Sequence, residues 1–346
     1  MGDIMKFSSV FMLFSVFAAA IYTLINSAWG YISYEYPITR NELAEKVNLN
    51  ITFSEHNAYK SENLEYNNLS DKEEENVLEV SGGGEAKGKI IEKFISPYGA
   101  KYSYQKIFLK NNTNTAIDLK SLFDAPLEFK IEKNKSPQVL IMHTHTTESY
   151  MLENRDYYTE NDLSRRMEED KNMIAIGDVF ENTLRKAGVE VIHDTTVHDY
   201  PSYSGSYDRS AETVKSDLSA YKDIKIVIDI HRDAISSDGN KTKPIVKING
   251  ENYAQVMLVM GSETGGVKNY PNWQKNLSFA LKYQQKMEEM YPGLARAITL
   301  NEAKYNQNLS IGSILLEVGS DANTLEEAKK GATAAANSLV SLLNTQ

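Results

Sequence analysis

The stretch DIKIVIDIH, residues 223–231, decides the fold class of this chain. It is rich in β-branched residues and ends in a histidine, which is typical of a buried strand. NMIAIGDVFENTLRKAG, residues 172–188, comes before it and has apolar residues at helical spacing and a terminal glycine, so it predicts a helix. SILLEVG (313–319) predicts another strand, and TLEEAKKGATAAANSLVSLL (324–343) predicts the final helix. This alternation predicts an α/β fold with a twisted, mostly parallel sheet flanked by helices.

The composition is that of a globular protein, and it argues against nucleic-acid binding and excludes cysteine-based sites. The chain has 346 residues, of which 41% are hydrophobic and 24% charged, as in ordinary globular proteins of about two domains. Its net charge of -10 argues against binding to nucleic acid, because a phosphate backbone repels an acidic protein. Cysteine is absent, which excludes disulfides, a cysteine nucleophile and thiolate metal sites. Any metal site must therefore use histidines and carboxylates.

The N-terminal segment predicts a membrane anchor. Residues 7–25 carry no charge and are mostly apolar, and about 20 such residues span a bilayer. Aromatic residues follow, as in the aromatic belt at a membrane interface. A cleaved signal peptide is the alternative, but its apolar core is usually only about 7–15 residues long. We expect a cytoplasmic N-terminus at 1–6, a transmembrane anchor at 7–28 and a single-pass cell-membrane protein whose C-terminal part lies outside the cytoplasm.

Three further regions follow the anchor. Residues 29–88 include an acidic, glycine-containing stretch that cannot bury enough apolar surface to order itself, so they predict a polar stalk or linker. Residues 89–135 contain short alternating runs and an asparagine-rich turn, which predict a small β-rich region. The regular strand–helix alternation defines a catalytic domain at 136–346.

Three polar clusters follow or interrupt predicted strands of that domain. They are HTHTTE (143–148), DIHRD (229–233) and Glu317 within the apolar run SILLEVG. Function in α/β folds collects at the carboxyl ends of parallel strands. We therefore expect the three clusters to meet at one rim of the sheet.

The clusters fit the chemistry of a catalytic zinc ion, which takes three protein ligands and leaves one position for water. His145 and Glu148 can reach one Zn²⁺ ion from a tight loop, and His231 supplies a third ligand from a neighbouring strand. Glu317 remains as the general base, because a carboxylate in an apolar strand is costly unless it has a partner. His143 lies two residues before His145 and is the alternative first ligand.

The sequence resembles the stage II sporulation protein P family, in the order and spacing of THTTESY (144–150), YSGSYDRSAETV (203–214), DIHRDA (229–234) and LLEVG (315–319). The family is similar to zinc-dependent N-acetylmuramoyl-L-alanine amidases. The resemblance implies a membrane-anchored peptidoglycan hydrolase that also cuts cross-links between stem peptides. It implies thinning of the septal cell wall during engulfment in sporulation. It also implies two partners, stage II sporulation protein D and stage II sporulation protein M.

The resemblance assigns His145 and His231 as metal ligands and Glu317 as the catalytic glutamate. The acidic ligand stays open between Glu148 and Glu169. In the related amidases this ligand lies farther after the first histidine, near the start of the next helix, where Glu168 and Glu169 stand here.

Arg232 departs from the small or polar residue that plain amidases have at its position. A guanidinium there can hold a substrate carboxylate or a developing oxyanion. The alternative is a salt bridge with Asp229 or Asp233.

Two other functions compete with the zinc amidase. One is a catalytically inert protein that binds the cell wall, or serves as a scaffold, on the same fold. The other is a zinc carboxypeptidase-like enzyme, which would release only terminal residues.

Overall fold

A computed structural model describes residues 85–133 and 136–345. The predicted anchor at 7–28 and nearly all of the predicted stalk lie outside these ranges. Within them, no helix combines the length and the apolar character that crossing a bilayer requires.

The described ranges hold thirteen strands, five α-helices and one short 3₁₀ helix. The strands are β1 (Gly88–Lys93), β2 (Tyr102–Tyr104), β3 (Ile107–Asn111), β4 (Val139–Met142), β5 (Tyr157–Tyr158), β6 (Val191–His193), β7 (Ile226–Asp233), β8 (Ser236–Ser237), β9 (Asn240–Ile248), β10 (Glu251–Ala254), β11 (Val256–Gly261), β12 (Ile298–Asn301) and β13 (Ser313–Ser320). The helices are α1 (Leu119–Asp124), α2 (Met173–Lys186), α3 (Ser206–Ala220), α4 (Trp273–Met290) and α5 (Leu325–Leu343), and the 3₁₀ helix is Gln307–Leu309.

Eight strands form the large sheet, in the order β2-β3-β12-β11-β13-β7-β4-β6. Strands β13, β7, β4 and β6 run parallel, whereas β13 pairs antiparallel with β11 and β2 pairs antiparallel with β3. The small sheet contains β10, β9, β1 and β5, with β8 on β9, and most of its pairings are antiparallel. The α/β class is confirmed, but the prediction of a mostly parallel arrangement is wrong, because the sheets are mixed.

The mixed arrangement has a local cause. Strands β9 and β10 form a hairpin that turns through Asn249 and Gly250, both with positive φ, as the tight Asn-Gly hairpin turn requires. Strand β11 follows β10 after the single residue Gln255, so the chain enters the large sheet from this hairpin. Parallel neighbours need a long crossover connection. Here β11 is entered without a crossover helix, and it runs opposite to β13.

Residues 89–135 contribute to both sheets. Strand β1 lies between β9 and β5 in the small sheet. Strands β2 and β3 form one end of the large sheet, where β3 pairs parallel with β12. Helix α1 begins after Asp118, whose side chain accepts a hydrogen bond from the backbone N–H of Ser121.

The two faces of the large sheet differ in what covers them. Ile226, Ile228 and Ile230 of β7 belong to the main hydrophobic core, together with buried residues of α2, α4 and α5. Val227 points to the opposite face, where it packs near Val214 of α3. Because successive side chains of a strand alternate, Asp229 and His231 share the α3 face with Val227. The α3 face therefore carries Asp229 and His231.

Side-chain caps define the starts of the two helices predicted from periodicity. Asn172 accepts a hydrogen bond from the N–H of Ile174 and begins α2, which ends before Gly188, a glycine with positive φ. Thr324 and Glu327 form a reciprocal capping box at the start of α5. The predicted helices at 172–188 and 324–343 are both confirmed.

Candidate active site

The candidate site lies at the carboxyl ends of β4, β7 and β13, on the α3 face. Strands β13 and β7 are in register such that Glu317 lies beside His231. Leu316 and Val318 belong to the main core, so Glu317 points to the opposite face, as His231 does. The pairing of two strands therefore sets two of the predicted site residues side by side.

The loop after β4 brings His145 and Glu148 to the same place. It makes a tight turn in which the N–H of Glu148 donates to the carbonyl of His145 at 3.2 Å. Asp229 fixes the start of the loop, because its carboxylate accepts from the backbone N–H and the hydroxyl of Thr144 at 2.8 and 2.7 Å. The ring of His145 lies 5.1 Å from the ring of His231, and Glu148 Oε2 lies 3.6 Å from His231 Nδ1.

The ionisable groups of this cluster have pKa values far from their ordinary ones. Burial lowers the pKa of His145 to about 3, so its imidazole is neutral and has a free lone pair. Burial opposes ionisation of Glu148, but the contact with His231 and the charge of Arg232 hold the pKa of that carboxyl well below its usual range. Burial also opposes a charged His231, yet Asp229 and Glu148 raise the pKa of its imidazole well above the ordinary value. The cluster thus stabilises a positive charge.

Glu317 has the opposite tendency. Burial, with the nearby charge of Asp233, raises the pKa of its carboxyl to about 8. Its Oε2 atom is buried and has no hydrogen-bond partner. Such an atom is costly unless something binds there. A cation held by His145, Glu148 and His231 would lower this cost, and a neutral imidazole, a carboxylate and a second imidazole are ligands that zinc prefers. The donor types of these residues therefore suit a zinc ion, and their ligand atoms, which do not all lie within 4.8 Å of one another, would have to move closer to share one.

Asp229 supports the cluster from behind. Its Oδ1 atom lies 2.9 Å from His231 Nε2, on the side of the ring away from Glu148. Metal-binding histidines commonly have such a carboxylate behind them, which fixes the ring and makes it a better ligand. Asp229 is itself buried and anchored to Thr144, so it links the loop after β4 to strand β7.

The predicted role of Arg232 finds no support in its contacts. Its guanidinium donates to three backbone carbonyls, those of Ser149, Ser164 and Asp233. Arg232 makes no salt bridge with Asp229 or Asp233 in the described part of the chain, and its contact with substrate stays a prediction. Its backbone N–H does donate to Glu148 Oε2, at 3.2 Å. Arg232 thus holds together the two loop segments that flank the site.

The alternative ligands lie elsewhere. His143 is buried on the core face, where its Nδ1 faces the carbonyl of Ile230 at 2.9 Å. Glu168 pairs with Lys171 at 3.2 Å, and Glu169 is exposed. The structure therefore brings His145 and Glu148 to His231. It does not bring His143, Glu168 or Glu169 there.

An arginine and two tyrosines beside the cluster were not predicted as site residues. Arg165 stacks on Tyr203 with its guanidinium 4.7 Å from the ring centre, and it pairs with Asp199 and with Glu148. The ring of His145 stacks on Tyr203 at 4.5 Å and meets the edge of Tyr207 at 5.7 Å. Tyr203 lies just before α3 and Tyr207 in its first turn, so helical spacing does not account for the pair, and the aromatic residues of YSGSY were the available indication.

Comparison with known proteins identifies the family. The family model described as stage II sporulation protein P matches residues 15–340. This chain belongs to the stage II sporulation protein P family. It is 32% identical over 210 residues to stage II sporulation protein P of Bacillus subtilis (strain 168). The aligned region covers 58% of this chain and 49% of that protein, so the match spans about half of the relative's length.

Solved structures of amidases show a weaker likeness. The CwlD amidase from Clostridioides difficile, in complex with the GerS lipoprotein, is 14% identical, and the match covers 60% of this chain and all of that one with a TM-score of 0.38. The N-acetylmuramyl-L-alanine amidase Ami1 from Mycobacterium smegmatis is 12% identical, and the match covers 62% of this chain and all of that one, also with a TM-score of 0.38.

Proposed function

We propose that this protein is a zinc-dependent peptidoglycan hydrolase that acts in sporulation. The observation that carries the proposal is the buried, unpartnered Oε2 atom of Glu317, next to a cluster of two histidines and a carboxylate. Membership of the stage II sporulation protein P family supports the biological setting. The reaction is hydrolysis of the amide that joins the stem peptide to N-acetylmuramic acid, as in an N-acetylmuramoyl-L-alanine amidase, together with cleavage of cross-links between stems.

His145, Glu148 and His231 would hold the zinc ion. When bound, zinc supplies an activated water and polarises the scissile carbonyl. Asp229 orients His231, and the tight turn from His145 to Glu148 sets the spacing of the other two ligands. These contacts exist without substrate, so the side chains are already positioned, which lowers the entropic cost of the reaction.

Glu317 is the general base and then the general acid. It takes the proton from the attacking water and delivers it to the departing amine. A pKa of about 8 in the protein alone means that Glu317 holds its proton readily near neutral pH. A nearby cation lowers that pKa, so that the group can both accept and release a proton in the working range.

Arg165 and Tyr203 lie beside the cluster, where Arg165 contacts Glu148 and Tyr203 stacks on His145. Arg165 keeps about a third of its side chain exposed while it pairs with the buried carboxylate of Asp199. The stem peptide carries carboxylates, and a partly exposed guanidinium beside the cluster suits their recognition.

The setting completes the proposal. The predicted span at 7–28 would anchor the protein in the septal and engulfing membrane of the sporulating cell, with the catalytic domain outside the cytoplasm. The protein would work there with stage II sporulation protein D and stage II sporulation protein M to thin the septal wall.

Two variants of the full-length protein test the mechanism on purified sacculi. Glu317→Gln keeps size and hydrogen bonding, so it should retain zinc and wall binding but lose activity by roughly 10²–10⁴-fold, the usual contribution of general acid–base catalysis. His231→Ala should lose the zinc itself. Glu212→Gln is the matched control, because it makes the same substitution at an exposed glutamate on α3. It should behave like the wild type.

The outcomes separate the competing functions. Full activity of Glu317→Gln would refute the mechanism. A metal-free Glu317→Gln would make Glu317 a ligand and Glu148 the better candidate for the base. Among the muropeptide products, free stem peptides identify an amidase, whereas terminal amino acids alone identify a carboxypeptidase. A zinc-loaded wild type that binds sacculi but releases no product would identify an inert wall-binding protein.

A further inference from the structure

A second cluster of metal-binding side chains lies on the core face of the large sheet, away from the candidate active site. Asp178 and Glu181 are three residues apart on α2, so they share one face of that helix. His193, the last residue of β6, lies beneath them. Its Nδ1 atom is 3.2 Å from Asp178 Oδ1 and 3.7 Å from Glu181 Oε2.

Hydrogen bonds behind His193 determine which of its nitrogens is free. The Nδ1 atom of His143 faces the carbonyl of Ile230, which can only accept, so His143 Nδ1 carries a proton. His143 is completely buried, and an imidazolium there without a carboxylate partner would be costly, so its Nε2 is an acceptor. His193 Nε2 lies 2.9 Å from that atom and must donate to it. His193 Nε2 is therefore taken up by His143, and Nδ1 is the ring nitrogen that faces Asp178 and Glu181.

His193 Nδ1 faces two carboxylates, at hydrogen-bond distance from Asp178 and slightly farther from Glu181. A proton or a metal ion between these atoms offsets the repulsion between their lone pairs. Three ligand atoms within 4.8 Å of one another can meet a single ion with small adjustments. Two ligands bound to zinc at their usual lengths are about 3.4 Å apart, close to the two distances observed. Arg185 pairs with the other oxygen of Glu181, so Oε2 remains available.

The local backbone is adapted to this contact. A Cβ atom on Gly177 would lie 2.2 Å from His193 Nε2 and 2.8 Å from His143 Nε2. Glycine inside a helix is less stable than alanine, so its presence here needs a reason. The absence of a side chain at Gly177 allows the two histidine rings to meet beneath α2.

We propose that Asp178, Glu181 and His193 form a second divalent-cation site, specific for Zn²⁺ or a similar first-row transition metal. One imidazole nitrogen and two carboxylate oxygens suit these ions better than Ca²⁺ or Mg²⁺, which prefer oxygen ligands alone. His143 acts as the partner that fixes the ligating ring, the role that a carbonyl or carboxylate has in other metal sites. Ile230 directly precedes His231, so the site also braces the end of β7.

Zinc content per chain tests this site without reference to activity. The full-length protein is stripped of metal, dialysed against buffered free Zn²⁺ and analysed for zinc. We expect two equivalents in the wild type and one in Asp178→Asn/Glu181→Gln. The control Glu212→Gln/Glu289→Gln removes two exposed carboxylates paired with lysines on other helices and should keep both equivalents.

His231→Ala separates the two sites, because it should lose only the zinc of the candidate active site. If the proposed function fails but this inference holds, the wild type binds one equivalent that His231→Ala retains and Asp178→Asn/Glu181→Gln loses. Asp178 is more than half exposed, so the single variant Asp178→Asn should fold normally and weaken one site at least about tenfold. Equal zinc content and affinity in the wild type and both Asp178 variants would overturn the proposal and leave the cluster as direct contacts between His193 and the two carboxylates.

Discussion

The stability of the metal-free protein should depend on pH through Glu317. The pKa of this carboxyl is raised from 4.5 to about 8 in the folded protein, chiefly by burial. In the unfolded chain it has its ordinary value. Below about pH 4.5 the group is protonated in both states and costs nothing. As the pH rises towards 8, the unfolded chain releases the proton while the folded protein keeps it, so folding stability is lost.

The size of the effect follows from the shift. Each pKa unit corresponds to 1.36 kcal/mol, so the complete rise is worth at most about 5 kcal/mol of unfolding free energy. Glu317→Gln cannot titrate and does not lose this stability. Relative to the wild type, the variant should therefore become more stable as the pH rises from 5 to 8.5, by several kcal/mol.

Urea unfolding in the presence of a chelator measures this difference. Trp273 lies in the main core on α4 and reports the loss of packing by fluorescence. Wild type and Glu317→Gln are compared at pH 5 and at pH 8.5, so that groups titrating equally in both proteins cancel. The control Glu212→Gln should show no such trend. The difference in unfolding free energy between wild type and Glu317→Gln should change by several kcal/mol between the two pH values. A change below about 1 kcal/mol corresponds to less than one pKa unit and would show that the pKa of Glu317 is not strongly raised.

Three further predictions test the surroundings of the site and the core. Asp229→Asn should weaken zinc binding at the candidate active site by about 10–100-fold in equilibrium dialysis, because the carboxylate behind His231 is lost. Phe180→Ala should lower the unfolding free energy by about 3–5 kcal/mol, because this side chain of α2 is completely buried; a loss below about 1 kcal/mol would contradict that packing. Thr324→Ala should cost about 1 kcal/mol in the same urea assay, because it removes the cap of α5, and Thr324→Ser should restore most of it.

Helices and buried strands of this fold could be read from the sequence because their patterns are local. Periodicity and caps located α2 and α5, and β-branched runs located β7 and β13. Strand direction was less accessible. It depends on whether a helix or a hairpin connects two strands. Here the Asn249-Gly250 dipeptide, a recognised turn signal, forms the hairpin that sets the direction of the strands after it.

The candidate site shows the same division. The positions of His145, Glu148, His231 and Glu317 at strand ends were enough to expect them together, because parallel strands end at one rim. The direction in which a side chain points was harder to predict. Arg232 turns to three carbonyls, two of them supplied by distant parts of the chain, and Arg165 reaches the cluster from a loop that carries no repeating pattern.

Side chains of β7 and β13 alternate between the two faces of the sheet, so the core packing and the candidate site both depend on the same pairing register of these strands. Odd-numbered positions of both strands face α3 and carry the reactive groups, while even-numbered positions fill the core. Sliding β13 by one residue would bury Glu317 in the core and expose Leu316 and Val318. A single-residue insertion or deletion within either strand should therefore abolish stability and activity together. Substitutions can alter one property alone, so this protein should tolerate exchange of side chains far better than a change in the length of these strands.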